Sequence, residues 1–105
     1  MQLQFGTDAS IHGDERLAEI AEDIVTSALG HHGGRLARVE VYLADANAAK
    51  GGPDDDILCT VGARPEGLQP MVTTQFDADL EAALRGAVRK MRRALDSQVD
   101  DLSRH

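Results

Sequence analysis

Polar and apolar residues alternate from Gln2 to Gly6, which predicts a short strand. Thr7 to Gly13 is a polar connection with Ile11 as its one apolar anchor. From Asp14 the period changes: Leu17, Ile20, Ala21, Ile24, Val25, Ala28 and Leu29 recur at three- and four-residue spacing, the stripe of an amphipathic helix. Asp14 and Glu15 fall in its first turn, where negative charge suits the helix dipole. Gly30, Gly33 and Gly34 are expected to end it by adopting the left-handed conformation.

A second strand follows, with Val39, Val41 and Leu43 alternating against Arg38, Glu40 and Tyr42. Residues 46–56 hold Gly51, Gly52, Pro53 and three aspartates and read as a turn or loop. Ile57–Arg64 is a third strand, Pro65-Glu66-Gly67 a turn, and Leu68–Phe76 a fourth strand, so the last three strands can form an antiparallel meander. A long helix from Asp77, its expected N-cap, to about Leu102 carries the stripe Leu80, Leu84, Val88, Met91, Leu95, Val99 and Leu102. The order β-α-β-β-β-α predicts an α+β two-layer sandwich, with two helices covering the apolar face of a four-stranded sheet.

At 105 residues the chain is expected to be one domain, 1–105. Its 42% apolar content and mean hydropathy of −0.30 suit a folding chain. There is no apolar run of the roughly 18 residues a bilayer span requires. The start, Met1 to Phe5, has neither the basic nor the long apolar region of a secretory signal. A single cysteine, Cys59, excludes an intramolecular disulfide and fits a reducing cytoplasm, the expected location.

Charge alters the picture through its distribution. The net charge is −7, but residues 1–83 carry 5 Lys/Arg and 15 Asp/Glu, whereas 84–105 carry 6 and 3. The last helix holds Arg85, Arg89, Lys90, Arg92 and Arg93 in nine residues with no acid. At about 100° per residue the four arginines share an arc of about 100°, with Lys90 on the other flank of the apolar stripe. Such a row suits phosphates, because a guanidinium offers forked donors and keeps its charge. The same row also reads as a solvated face whose cations pair with acids on a neighbouring helix. Without interleaved aromatics, any RNA contact would be to backbone and shape. The first helix is its opposite, exposing Glu15, Glu19, Glu22 and Asp23 with Arg16 as its only base. It can be a solvated face, or an electrostatic partner for the basic helix of the same or another copy.

Other chemistry-bearing residues lead nowhere by spacing. His31 and His32 are adjacent, and no third ligand stands at a recognisable distance, so they read as helix-end histidines rather than a metal centre. His12 adds no ligand pattern, and Asp54-Asp55-Asp56 lacks the alternation of a calcium loop. Cys59, in phase with Ile57 and Val61, reads as a buried thiol. No phosphate-binding glycine loop, nucleophile constellation or cofactor motif is present, so the chain does not read as an enzyme.

Several segments together resemble the ribosome hibernation promoting factor and sigma-54 modulation protein family. They are Met1 to Phe5, Arg16, Val39-Glu40-Val41-Tyr42-Leu43 and Cys59-Thr60-Val61. The strongest segment is Asp79-Leu80-Glu81-Ala82-Ala83-Leu84 leading to Lys90-Met91-Arg92-Arg93-Ala94-Leu95. The resemblance spans essentially the whole chain and implies the same β-α-β-β-β-α fold. It implies a protein that binds the decoding channel of the small ribosomal subunit, overlaps messenger and transfer RNA sites, and silences idle ribosomes without a cofactor. Lys90 and Arg93 match the family's basic pair on the last helix and Arg16 its basic residue on the first. Arg85, Arg89 and Arg92 extend the patch. Ending at His105, the chain is expected to be a short form lacking the C-terminal domain through which long members pair ribosomes. Members usually carry basic residues on both helices, whereas the first helix here is acidic. That departure keeps open an acidic protein-interaction module, self-associating or meeting a basic protein.

Overall fold

The computed structural model describes residues 1–9, 11, 13–45 and 57–103, with side chains as far as Gln98. The expected loop at 46–56 and His12 lie outside the described residues, as do the side chains of Val99 and Leu102. The elements are β1 (Gln2–Thr7), α1 (Glu15–Leu29), a 3-10 helix (Gly30–Arg35), β2 (Leu36–Asp45), β3 (Ile57–Pro65), β4 (Met71–Asp77) and α2 (Leu80–Ser103). The sheet order is β1-β2-β3-β4. β2, β3 and β4 are the antiparallel meander the sequence predicts. β1 pairs parallel to β2, a geometry that needs a crossover, and α1 supplies it.

Register explains the core. On one face the pairings line up Leu3, Val39, Ala63 and Met71 in one row, Phe5, Val41, Val61 and Thr73 in the next, and Thr7, Leu43, Cys59 and Gln75 in a third. The buried stripe of α1 (Ala21, Ile24, Val25, Leu29) and that of α2 (Ala83, Leu84, Ala87, Val88, Met91, Leu95) close over these rows in one cluster. Small residues let α2 approach β4: the Thr73 hydroxyl donates to the Ala87 carbonyl at 2.8 Å. A Cβ on Gly86 would lie 2.6 Å from Gln75 Cγ, so only glycine fits that approach without displacing the glutamine.

The outer face is less polar than a one-sided sheet requires. Tyr42, Val72 and Phe76 are all about half exposed or more there, with the Tyr42 ring lying over Gly6. Arg38 ties the edge strand to this face by donating to Gln4 on β1, and pairs with Glu40 at 3.0 Å.

Several boundaries differ from expectation, each for a local reason. Asp14 is the N-cap of α1 rather than part of its first turn; its carboxylate accepts from Leu17 N at 2.9 Å. Gly30 has φ −58° and is right-handed, so α1 tightens into the 3-10 helix instead of ending in a left-handed glycine. β4 begins at Met71, not Leu68. The turn at Pro65–Leu68, closed by Leu68 N to Pro65 O at 3.3 Å, takes up the first residues, and Pro70 has no N–H to donate to a ladder. Asp77 is still paired with Ile57 and cannot cap α2. Asp79 does so, accepting from Ala82 N at 2.9 Å, while Asp77 accepts from Asp79 N at 2.9 Å.

Gly67, at φ 74°, is the one positive-φ residue among those described, and nothing lies within 4 Å of a Cβ built there. Gly67→Ala therefore changes only backbone strain and is expected to cost about 1 kcal/mol, a fall in Tm of roughly 4–8 °C. Met91→Ala, at a position with no exposure, is expected to cost about 2–5 kcal/mol. Thermal melts of the two variants check the ranking.

Candidate nucleic-acid interface

Burial of one side of α2 dictates where its cations point. With Leu84, Val88, Met91 and Leu95 against the sheet and α1, Arg85, Arg89, Lys90, Arg92 and Arg93 are all exposed. Around the helix they run in the order Arg92, Arg85, Arg89, Arg93, Lys90 at about 100° per residue. This ridge separates two grooves. The first lies between α1 and α2 and is lined by Asp23, Ile24, Ser27 and Ala28 from one helix and by Arg85, Val88, Arg89 and Arg92 from the other. The second lies between α2 and β4, where Gln75 and Asp77 face Arg85, Arg89, Lys90 and Arg93.

The partners of these cations grade along the ridge. Arg85 donates to Glu81 one turn earlier, Nη2 at 2.8 Å and Nε at 3.2 Å. Arg92 Nε lies 3.8 Å from Asp96 Oδ2 one turn later. Both pairs are solvent-exposed, lie within one helix, and are worth a few tenths of a kcal/mol. Lys90 Nζ donates to the Thr74 carbonyl at 2.8 Å, reaching the open edge of β4. Arg89 and Arg93 carry no ion pair among the described residues. No inter-helix salt bridge among the described residues neutralises the ridge.

Arg16 is exposed in the first turn of α1 and lines neither groove. Glu15, Glu19, Glu22 and Asp23 are exposed as well. Both helices follow strands of the same direction, so they run alongside each other in parallel. An acidic helix and a basic ridge thus lie side by side, with Asp23 reaching the groove between them.

Sequence spacing misses a second cluster. The 3-10 helix carries His31 and His32 to α2, where their Nε2 atoms lie 3.3 and 2.7 Å from the same Asp96 Oδ1. The third group, Asp96, comes from 64 residues along the chain from His32, beyond any local spacing that the sequence could display. His32 is buried, whereas His31 and Asp96 are about half exposed. The bond from His32 is the largest influence holding the Asp96 carboxyl below its usual range, with His31 adding to it. Cys59 is buried as expected, and desolvation pushes its thiol up to about 12. It stays protonated at neutral pH and offers no nucleophile.

No family model matches the sequence, and no curated protein matches it. The fold is nonetheless shared with solved structures. A ribosomal subunit interface protein from Coxiella burnetii superposes with a TM-score of 0.74 at 10% identity, covering 95% of this chain and 99% of that one. The N-terminal domain of Thermus thermophilus Protein Y gives 0.71 at 17% identity, covering 90% of this chain and 94% of that one. At such identities the likeness is one of fold, and the fold is the one that the sequence resemblance implies. No helix among the described residues is long and apolar enough to cross a membrane.

A lowered carboxyl pKa contributes stability above the unfolded value and loses it as pH falls through the folded one. The Asp96 contribution is thus complete above about pH 5 and lost on acidification below the ordinary carboxylate range. Asp96→Asn is expected to flatten this acid limb. Urea midpoints at about pH 5 and about pH 3 check it, the wild type falling further than the variant.

Proposed function

We propose that this protein is a ribosome-associated binding factor that docks α2 on small-subunit RNA, overlaps the messenger and transfer RNA path, and silences idle ribosomes. The observation that carries this reading is the open cationic ridge of α2, displayed on a fold shared with a ribosomal subunit interface protein and with Protein Y. Arg89 and Arg93 are its centre, Arg85 and Arg92 its partly paired margin on one side and Lys90 its margin toward β4, and Arg16 a separate contact from α1. Guanidinium forks and a lysine suit phosphate oxygens, and the ridge carries no aromatic residue for base stacking. Steric occupancy needs binding alone, with no catalytic group and no cofactor.

The exposed acids Glu15, Glu19, Glu22 and Asp23, in a chain of net charge −7, favour a second reading. In it the fold serves a protein interface, and the acidic helix meets a basic protein or the α2 ridge of another copy. Self-association through opposite charges weakens as salt rises, and size-exclusion chromatography across salt concentrations detects it.

The first reading is tested by sedimentation with purified small subunits. The wild type is expected to co-sediment at low salt and to be released as salt is raised. Replacing Arg89, Lys90 and Arg93 with Glu is expected to weaken binding by on the order of 100-fold or more. Because the three side chains are exposed, the melting temperature should change little. A wild type that stays at the top of the gradient at low salt, or a triple variant that sediments like it, overturns the proposal.

A further inference from the structure

His31, His32 and Asp96 form a second site at the other end of the helix pair. The geometry points to a divalent transition-metal site, of the kind zinc occupies, in which His31 Nε2, His32 Nε2 and Asp96 Oδ1 are the protein ligands. The three ligand atoms lie within 4.8 Å of one another. Ligands about 2.0–2.1 Å from a tetrahedral ion are about 3.3–3.4 Å apart. His31 Nε2 and Asp96 Oδ1 already stand at 3.3 Å, and His32 Nε2 and Asp96 Oδ1 at 2.7 Å must open slightly to admit the ion.

The donor set selects the class of ion. Two imidazoles and one carboxylate suit zinc, nickel or cobalt, whereas magnesium and calcium prefer oxygen throughout. Both rings turn the same nitrogen toward the same oxygen, and their centroids are 4.1 Å apart at 43°. The rings therefore present a convergent pair rather than a stack. His32 is buried and fixed, while His31 and Asp96 are half exposed, leaving room for water in the remaining position. Arg92 near the second Asp96 oxygen, at 3.8 Å, opposes a cation. That distance is long for an ion pair, and the flexible exposed arginine can swing away. A bound ion clamps the 3-10 helix after α1 onto α2, joining segments 64 residues apart. The three ligands lie outside the set proposed to contact RNA, with only Arg92 beside Asp96 shared between the two, so the site stands whether or not that reading holds.

The test titrates ZnCl2 into chelator-stripped full-length protein by calorimetry, with MgCl2 as control, and follows Tm in parallel. Saturable 1:1 zinc binding is expected, with no response to magnesium. At zinc a hundredfold above Kd, Tm is expected to rise on the order of 10 °C. His31→Gln and Asp96→Asn, both at exposed side chains, should each weaken binding at least about tenfold, by analogy with other metal-site changes. Circular dichroism and Tm of the metal-free variants verify that they remain folded. The absence of saturable zinc binding at millimolar concentration overturns the proposal, and so does binding that survives both substitutions.

Discussion

The seating of α2 across β3, β4 and α1 is the constraint from which the surface follows. Ala83, Ala87 and Gly86 let the helix settle on β4, and Thr73 fixes it by donating to the Ala87 carbonyl. Leu84, Val88, Met91 and Leu95 fill the space between sheet and neighbouring helix. Burying these residues is the dominant stabilisation of such a layer, about 1.5–3 kcal/mol for each large side chain. An α-helix with one side so committed has no freedom to rotate. Arg85, Arg89, Lys90, Arg92 and Arg93 therefore face outward because the core needs the other side, whatever their own interactions contribute.

Electrostatics then acts locally. With a screening length of about 8 Å at physiological salt, a phosphate approaching α2 responds to the ridge more than to the net charge of −7. The acids closest to the ridge grade it: Glu81 engages Arg85, Asp96 leans toward Arg92, and the stretch between them is left to Arg89 and Arg93. Asp96 has a second allegiance. Its Oδ1 is drawn to His31 and His32, so one carboxylate links the 3-10 helix, the margin of the ridge and the length of α2.

Much of the architecture is legible in the sequence because it rests on periodicity. Val39-Glu40-Val41-Tyr42-Leu43 alternates with burial, and the stripe from Leu80 to Leu95 marks the buried side of α2. Ends are decided by competition that periodicity does not encode. Asp77 has the chemistry of a cap, yet its pairing with Ile57 keeps it in the sheet and passes the role to Asp79. Pro70 delays β4, and α1 continues through glycines that have no need of the left-handed region. The parallel pairing of β1 with β2 is a matter of topology, and no residue of either strand announces it. The cations of α2 are readable as a row, since helical geometry fixes their relative angles. The His31, His32 and Asp96 cluster is not, because it depends on how far two helices run beside each other before they meet.

The central claim is that the α2 ridge binds RNA phosphates. It is tested most directly by the salt dependence of the association constant for purified small subunits, measured for the wild type and for an Arg89→Gln, Arg93→Gln double variant. If the ridge makes about five phosphate contacts, the logarithm of the constant should fall against that of salt with a slope of about −3.5 to −4.5. The double variant should lose roughly 1.4 to 1.8 from the magnitude of that slope. A flat dependence in the wild type, or an identical slope in the variant, contradicts the account.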